Sequence, residues 1–310
     1  MFNNQSNRRP GNPIVGIIVP ILIYWGISFL VDMVVVAAYL TAHGQELMQA
    51  YESQSALQTF MEETMTFILG HSTEITSASA LLALPFYIYM MRKDERYRKM
   101  FVEPEQHKTP WKAPAVSYVY TVLLGVTAGI ALNNILILSN LGSISVSYQT
   151  TSAGLYAAPV IIEIIGLGVI VPVLEECLYR GVIFRRLRDL MPAKKAILFS
   201  AVIFAIIHGN IVQFLYALVF GLLLSYVYES FESIKAPIIL HASANLGSVL
   251  LTEGNGYGWI FHTPLRMGMV NKIIYQQYEP RSYIAGDYGD AYGALYLLTG
   301  SCLLYTSRCV

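Results

Sequence analysis

"VLEECLYRGVIFRRL", residues Val173–Leu187, is the stretch that decides the fold, because it places charge at the end of an apolar run. Residues 161–174 hold a single acid and otherwise only apolar residues, glycine and proline. Two adjacent glutamates, Glu175 and Glu176, follow, and Arg180 comes four residues after the second. Burying such charges costs several kcal/mol unless they are paired. The stretch therefore predicts a buried helix whose charged residues have a specific role.

The composition of the whole chain places this stretch in a membrane. Of 310 residues, 55% are hydrophobic and 13% are charged, whereas a soluble domain is about 25% charged. Several hydrophobic runs approach or reach the roughly 20 residues that cross a bilayer as a helix. The net charge of zero gives no basic surface for nucleic acid, so we expect no nucleic-acid partner. We predict an all-α fold, a polytopic membrane helix bundle with seven to eight transmembrane helices.

The hydrophobic runs divide into seven spans and the start of an eighth. The first run is too long for a signal peptide and lacks a clear small-residue cleavage site. Residues 41–71 are polar or amphipathic. Glu163, about 18 Å from Glu175 by helical rise, is expected at the outer interface. The predicted spans are residues 14–40, 77–91, 115–139, 158–178 (continuing as a helix toward Arg188), 196–208, 211–228 and 236–251, with the eighth beginning near Ala291.

The distribution of lysine and arginine orients the bundle. The loops between the second and third spans and between the fourth and fifth are rich in basic residues, whereas residues 41–76 and 140–157 contain none. The positive-inside rule makes the basic loops cytoplasmic and places the N-terminus inside as well. The exception is residues 252–290, placed outside, where three basic residues are spread thinly.

The last residues have a separate interpretation. The string "CLLYTS", Cys302–Ser307, back-translates to DNA that resembles a transposon-end adapter used in sequencing libraries. We interpret residues 302–310 as an artefact of that adapter, which would truncate the eighth span; an ordinary tail is the alternative. Cys177 is then the one natural cysteine. A lone thiol allows neither an intramolecular disulfide nor a multi-cysteine zinc site.

Polar residues inside the predicted spans form three clusters on successive helices. Ionisable groups at that depth are functional candidates by default. Structural roles are the alternative: Glu176 and Arg180 are i,i+4 on one helical face and can simply pair, and the polar pair of the last cluster can hydrogen-bond between helices. A structural ion pair between Glu176 and Arg180 does not explain Glu175, which points about 100° away from Glu176 around the helix. The occurrence of carboxylates, two imidazoles and an amide on three successive helices favours a catalytic role over a structural one. The candidates are Glu175, Glu176 and Arg180, then His208, then His241 and Asn245.

Three short motifs carry a resemblance to a known family. "EECLYR" reads as EExxxR, "FAIIH" as FxxxH and "HASAN" as HxxxN. In this order and spacing the chain resembles the CPBP family of CAAX-processing and bacteriocin-processing intramembrane proteases, also called Abi proteins. The prenyl-protein endopeptidase that trims CAAX tails is one of them. The resemblance covers residues 158–251, under a third of the chain, and the N-terminal half matches no family that we can name.

The resemblance implies an intramembrane endopeptidase that hydrolyses a peptide bond of a membrane-associated protein or peptide. Such hydrolysis needs a base to activate water and donors for the developing negative charge. The implied roles are Glu175 as the catalytic glutamate, His208 as its partner in holding the attacking water, His241 and Asn245 as the groups that polarise the carbonyl and stabilise the oxyanion, and Glu176 and Arg180 as a brace for the site.

The resemblance also divides the chain and suggests its setting. It implies a multi-pass protein of the cell membrane, in contact with the lipid bilayer and of bacterial origin, with bacteriocin processing and self-immunity among the family's roles. The natural substrate, its prenylation and the oligomeric state stay open. The expected parts are residues 1–157 with the first three helices and their loops, 158–251 as the catalytic core, 252–301 as a C-terminal loop with the truncated last helix, and 302–310 as the adapter segment.

The participation of a metal stays open at this point. Glu175, His208 and His241 supply a plausible three-ligand set for a catalytic zinc ion. The sequence contains no HExxH helix, however, and a glutamate-activated water needs no metal. The cofactor is therefore either zinc or none, and we favour the mechanism without metal.

Two other classes of protein remain as alternatives. In a transporter or channel, the buried glutamates and histidines would relay protons or bind substrate. Such a protein is expected to show repeat symmetry between its halves, and none is visible in the sequence. A catalytically silent immunity or scaffold protein would use the same fold to bind a partner. Geometry discriminates, because a protease brings these side chains into one site and a transporter distributes them along a path.

Overall fold

The fold is all-α. The computed structural model describes residues 12–101, 113–139 and 141–253, and within these ranges the chain forms helices and no strands, as predicted for a membrane helix bundle. The helices are α1 (Pro13–Ala42), α2 (Gly44–Ala50), α3 (Gln54–Gly70), α4 (Ser72–Phe101), α5 (Ala115–Ser139), α6 (Leu141–Ile144), α7 (Val146–Leu155), α8 (Val160–Arg188), α9 (Ala193–Ile206), α10 (Ile211–Phe231) and α11 (Lys235–Glu253).

Four of the described helices, α1, α4, α5 and α10, are long and apolar enough to cross a membrane. A fifth span arises if α7 and α8, which meet at a bend of 104°, are taken together. Helix α9 has 14 residues, fewer than the roughly 20 that a span needs. The count of seven to eight spans and the orientation of the bundle stay predictions. The predicted eighth span and residues 302–310 lie outside the described residues.

Helix α8 is the central element, and its regular winding is interrupted twice. Residues Gly166–Ile170 and Cys177–Phe184 are π-helical, a rare form that occurs inside α-helices, frequently at functional sites. Glu163, in the first turn of α8, is fully buried. The expected depth of Glu163 at the outer interface stays a prediction, but at that depth the side chain is covered by protein. Helical rise gives a depth along one helix, whereas neighbouring helices decide whether that depth is covered by protein.

Small residues bring α5 and α11 into close contact. Gly125 lies against the backbone of Leu240, so near that an added Cβ would overlap the carbonyl oxygen, and Gly129 lies against Ala244. This small-xxx-small spacing lets two helix backbones approach closely in a membrane. One turn further along, Asn133 donates a 3.0 Å hydrogen bond from Nδ2 to Oγ of Ser248. The contact fixes the position of α11, which carries two of the predicted site residues.

Ion pairs tie the C-terminal end of α8 to its neighbours. Arg98 of α4 donates two hydrogen bonds to Asp189, of 3.0 and 2.8 Å. Arg186 pairs with Asp94 at 2.7 Å. Arg188 pairs with Glu229 of α10 at 3.0 Å. These links hold α4, α8 and α10 together at the charged end of the bundle.

A tight turn joins α9 to α10. Gly209 has φ 77, in the left-handed region that glycine adopts without a steric penalty. Asn210 then caps α10, since its Oδ1 accepts a 2.9 Å hydrogen bond from the backbone N–H of Gln213. The turn places His208, which precedes the glycine, at the end of α9 and inside the bundle.

Candidate active site

All six predicted site residues are buried in the same bundle of three helices. Their relative exposure is 3% or less, which for charged and polar side chains requires specific partners. Helix α8 carries Glu175, Glu176 and Arg180, the residues just after α9 include His208, and α11 carries His241 and Asn245.

Glu176 is the centre of the charged cluster. Arg180 donates from Nη1 to Oε1 of Glu176 at 2.8 Å, and both side chains are fully buried, so the pair expected from their i,i+4 spacing is present. The same oxygen lies 2.9 Å from Nδ1 of His241. The second contact joins residues 65 positions apart on different helices. Sequence reasoning missed it, and no local pattern signals it.

Arg180 connects α8 to two further helices. Its Nη2 donates a 3.1 Å hydrogen bond to the carbonyl oxygen of Gly221 in α10. Its guanidinium carbon lies 4.6 Å from the centre of the Phe204 ring in α9, a cation–π distance. A planar guanidinium with several donors suits this three-way contact better than a lysine ammonium would. Arg180 therefore fixes Glu176 in place and, through it, one side of the His241 ring.

His241 lies between the two glutamates. Because Nδ1 contacts Glu176, the other ring nitrogen is directed toward Glu175, and Nε2 lies 3.8 Å from Oε2 of Glu175. That separation exceeds a direct hydrogen bond. The rings of Phe204 and Phe220 pack edge-on against the imidazole, with centroids 6.2 and 5.5 Å away. Hydrogen bond and aromatic contacts together hold one ring orientation.

His208 is held in one orientation by its own helix. Its Nδ1 lies 2.6 Å from the carbonyl oxygen of Phe204, which can only accept, so Nδ1 carries the hydrogen and Nε2 is the acceptor of the neutral ring. The Phe204 ring packs edge-on against His208 with a centroid distance of 4.7 Å. Phe204 thus contacts both imidazoles and Arg180, and it is a functional neighbour that the FxxxH motif contains.

Asn245 contacts the first π-helical stretch of α8. Its Nδ2 donates a 2.9 Å hydrogen bond to the carbonyl oxygen of Leu167, within Gly166–Ile170. An amide nitrogen carries two hydrogens, so one remains for another acceptor. The contact ties α11 to α8 about one turn away from the His241 contact.

Seven polar atoms of this cluster have no hydrogen-bond partner within the described part of the chain. Buried polar atoms in proteins are nearly always hydrogen-bonded, and an exception calls for an explanation such as a catalytic role. Glu176 and Arg180 each have another atom that is paired, through their mutual ion pair. The seven atoms are Oε1 and Oε2 of Glu175, Oε2 of Glu176, Nε of Arg180, Nε2 of His208, Nε2 of His241 and Oδ1 of Asn245.

The donor set does not fit a bound metal. Within the described residues, no group of three or more histidine, cysteine, aspartate or glutamate side chains is arranged to hold a metal ion. Glu175, His208 and His241, the zinc set considered from sequence, do not form such a group among these residues, and the participation of a metal stays a prediction. The short contact of His241 is to Glu176 instead. We derive no step through a metal.

Residues 157–247 match the model of the family described as type II CAAX prenyl endopeptidase Rce1-like. The match coincides with the segment that carries the three motifs, and it supports the resemblance drawn from them. Over 89 residues the chain is 33% identical to the UPF0177 protein YxdF of Lactococcus lactis subsp. lactis (strain IL1403), covering 28% of this chain and 49% of that relative. The chain thus spans about half the length of the curated relative it matches. No solved structure matches the chain significantly.

Proposed function

We propose that the chain is an intramembrane endopeptidase in which Glu175 activates a water molecule to hydrolyse a peptide bond. The observation that carries the proposal is the set of buried, unpartnered atoms of Glu175, His208, His241 and Asn245. The match of residues 157–247 to an endopeptidase family supports the same reaction class. The whole site lies within helices that neighbouring helices bury.

Glu175 and His208 each offer a hydrogen-bond acceptor, and together the two acceptors can hold both hydrogens of one water molecule. A Glu175 oxygen accepts one hydrogen and takes the proton as the general base. Nε2 of His208 accepts the other, since its Nδ1–H is committed to the carbonyl of Phe204. The water oxygen is then left with a lone pair directed at the substrate carbonyl. A positioned base of this kind contributes about 10²–10⁴-fold to rate.

His241 is proposed to polarise the substrate carbonyl through Nε2. Its Nδ1 is engaged by Glu176, so Nε2 is the ring nitrogen that faces Glu175 and has no hydrogen-bond partner among the described residues. The contact with Glu176 fixes this orientation of the ring. The second hydrogen of the Asn245 amide supplies another donor to the oxyanion.

The substrate class follows from the surroundings and the family. A site enclosed by membrane helices is reached by membrane-associated chains, and the matched family is described as a type II CAAX prenyl endopeptidase. We therefore propose a membrane-associated protein or peptide as substrate, with a prenylated C-terminal tail as the first class to test. The arrangement favours a protease over a transporter, because three site residues from three segments, Arg180, His208 and His241, group around the Phe204 ring.

The experiment that tests the proposal is substrate trapping with Glu175→Gln. The amide keeps the side-chain shape but cannot take the proton, so the variant is expected to fold, lose cleavage and retain bound peptides in the membrane. Wild-type protein in the same membranes releases them as products. The matched comparison is Glu229→Gln, which changes a half-buried glutamate at the charged end of the bundle and leaves cleavage intact. Full-rate proteolysis by Glu175→Gln would overturn the assignment of Glu175 as the base, and absence of cleavage by the wild type would return the chain to the transporter or scaffold classes.

A further inference from the structure

A groove runs along the outward face of α4, away from the candidate active site. It has a volume of about 480 Å³, and seven residues of α4 line it. Its walls are apolar toward the N-terminal end of the helix and basic toward the other. The lining residues are Leu81, Leu84, Pro85, Ile88 and Tyr89, followed by Arg92 and Arg96.

The groove belongs to a face of α4 that the bundle does not cover. Leu81 and Tyr89 are 53% and 58% exposed, whereas Ala83, Tyr87 and Asp94 on the opposite face are almost fully buried. Pro85 lies inside the helix, within the stretch that lines the groove. Proline has no N–H to donate and its ring presses on the preceding turn, so it kinks a helix.

The two arginines at the basic end carry charge that the described chain does not neutralise. Arg92 and Arg96 are both exposed. The two neighbouring carboxylates on α4 already form ion pairs with other residues: Asp94 pairs with Arg186, and Glu95 pairs with Lys99. Within the described residues no carboxylate forms an ion pair with either groove arginine. Two unneutralised guanidinium groups one turn apart match a phosphate, which arginine binds through its fork of N–H donors.

The length of the groove matches one leaflet of a bilayer. Arg92 follows Leu81 by eleven residues, which is about 16 Å at 1.5 Å per residue. Half of a hydrocarbon core of about 30 Å is close to that length. Arg98 and Arg186 form their ion pairs in the same part of the bundle, so the arginine end lies at the charged boundary. An acyl chain along the leucines would therefore reach toward the midplane while its phosphate contacts the arginines.

We propose that this groove is a binding site for an anionic glycerophospholipid, with the phosphate held by Arg92 and Arg96 and an acyl chain lying against Leu81, Leu84 and Ile88. Apolar walls alone would accept any lipid tail, so the preference for an anionic lipid comes from the two arginines. The site does not depend on the proposed protease activity. It shares only the helix α4, whose Met91 packs against Gly181 of α8.

The test is native mass spectrometry of the full chain in detergent, titrated with phosphatidylglycerol and, separately, phosphatidylcholine. The wild type is expected to retain one phosphatidylglycerol in preference to phosphatidylcholine. The double variant Arg92→Gln/Arg96→Gln should lower the apparent affinity for phosphatidylglycerol about 30-fold, the equivalent of about 1 kcal/mol for each hydrogen-bonded contact with the phosphate that is lost. The matched control is Lys93→Gln/Lys194→Gln, which removes the same charge from two exposed lysines outside the groove, leaves the pair of Glu95 and Lys99 intact and should retain the lipid.

Three results would overturn the inference. Equal retention of both lipids by the wild type would mean a neutral lipid annulus. Equal losses in the two double variants would mean diffuse attraction to a basic surface. Displacement of the lipid by a farnesylated peptide at equimolar concentration would assign the groove to a prenylated chain instead. Thermal melting of both double variants establishes that they are folded, which is expected because the substituted side chains are exposed.

Discussion

His241 and Glu176 are joined by a 2.9 Å hydrogen bond between Nδ1 and Oε1, across two helices whose residues lie 65 positions apart. The bond makes the second glutamate of the EExxxR motif a positioning residue for His241, and not only the partner of Arg180. It also directs Nε2 of His241 at Glu175, at 3.8 Å from Oε2. The two adjacent glutamates of the opening stretch therefore contact opposite sides of one imidazole ring.

Glu175→Gln and Glu176→Gln are expected to affect stability differently. Both variants should lose activity. Glu175 has no hydrogen-bond partner among the described residues, so neutralising it should leave the free energy of unfolding unchanged or raise it. Neutralising Glu176 leaves Arg180 as a buried charge without its counter-ion, with a loss on the order of 3–5 kcal/mol. Denaturant unfolding in detergent measures both, and equal stability of the two variants would contradict the assignment.

Arg180→Ala is expected to cost stability as well as activity. The substitution strands the Glu176 carboxylate and removes the links to Gly221 and Phe204, again on the order of 3–5 kcal/mol. Arg185→Ala is the control, since Arg185 lies on the same helix and is only partly buried. An Arg180→Ala protein that melts like the wild type and yet is inactive would place Arg180 in the chemistry or in substrate binding.

Asn245→Ala should leave slow residual cleavage. Removing one donor to an oxyanion typically lowers kcat about 10²–10³-fold. His241→Ala is expected to resemble it, because both residues supply donors in the proposed scheme. Rates measured with a fluorogenic prenylated peptide compare the two variants with Glu175→Gln, which should be inactive. Loss of all activity in His241→Ala, with Asn245→Ala still active, would instead give His241 a role equal to that of the base.

Cleavage should be insensitive to chelators. The described residues do not assemble a three-ligand metal set, and the short contact of His241 is to Glu176. We expect equal rates before and after treatment with a strong chelator, and no stoichiometric metal by elemental analysis of the active protein. Activity that disappears with the chelator and returns with added zinc would show that the ligands rearrange around a metal.

The contact between α5 and α11 should tolerate a methyl group at one glycine and not at another. An added Cβ at Gly125 would overlap the carbonyl oxygen of Leu240, whereas at Gly247 it would meet Val126 at an ordinary 3.7 Å. Gly125→Ala is therefore expected to destabilise the protein by about 1–3 kcal/mol through overpacking. It should also lower kcat, since Leu240 directly precedes His241. Gly247→Ala should match the wild type in thermal melting and in rate, and similar behaviour of the two variants would remove α5 from the support of the site.

The sequence by itself determined the helices and the contacts within a helix. Long apolar runs predict helices because each backbone group in a membrane must be bonded within its own segment. The pair of Glu176 and Arg180 follows from the period of the helix, which brings residues four apart onto one face. The motifs also named the six residues that the structure buries together.

Only the tertiary structure decided the contacts between helices. The bond from His241 to Glu176, the contact of Arg180 with Gly221, and the burial of Glu163 depend on how neighbouring helices approach one another. The approach of two helices is set by the packing of small residues from distant segments. Unlike contacts within a helix, contacts between helices leave no periodic pattern in the sequence. For the same reason a single sequence does not show how closely Glu175, His208 and His241 approach one another, and the participation of a metal stays a prediction.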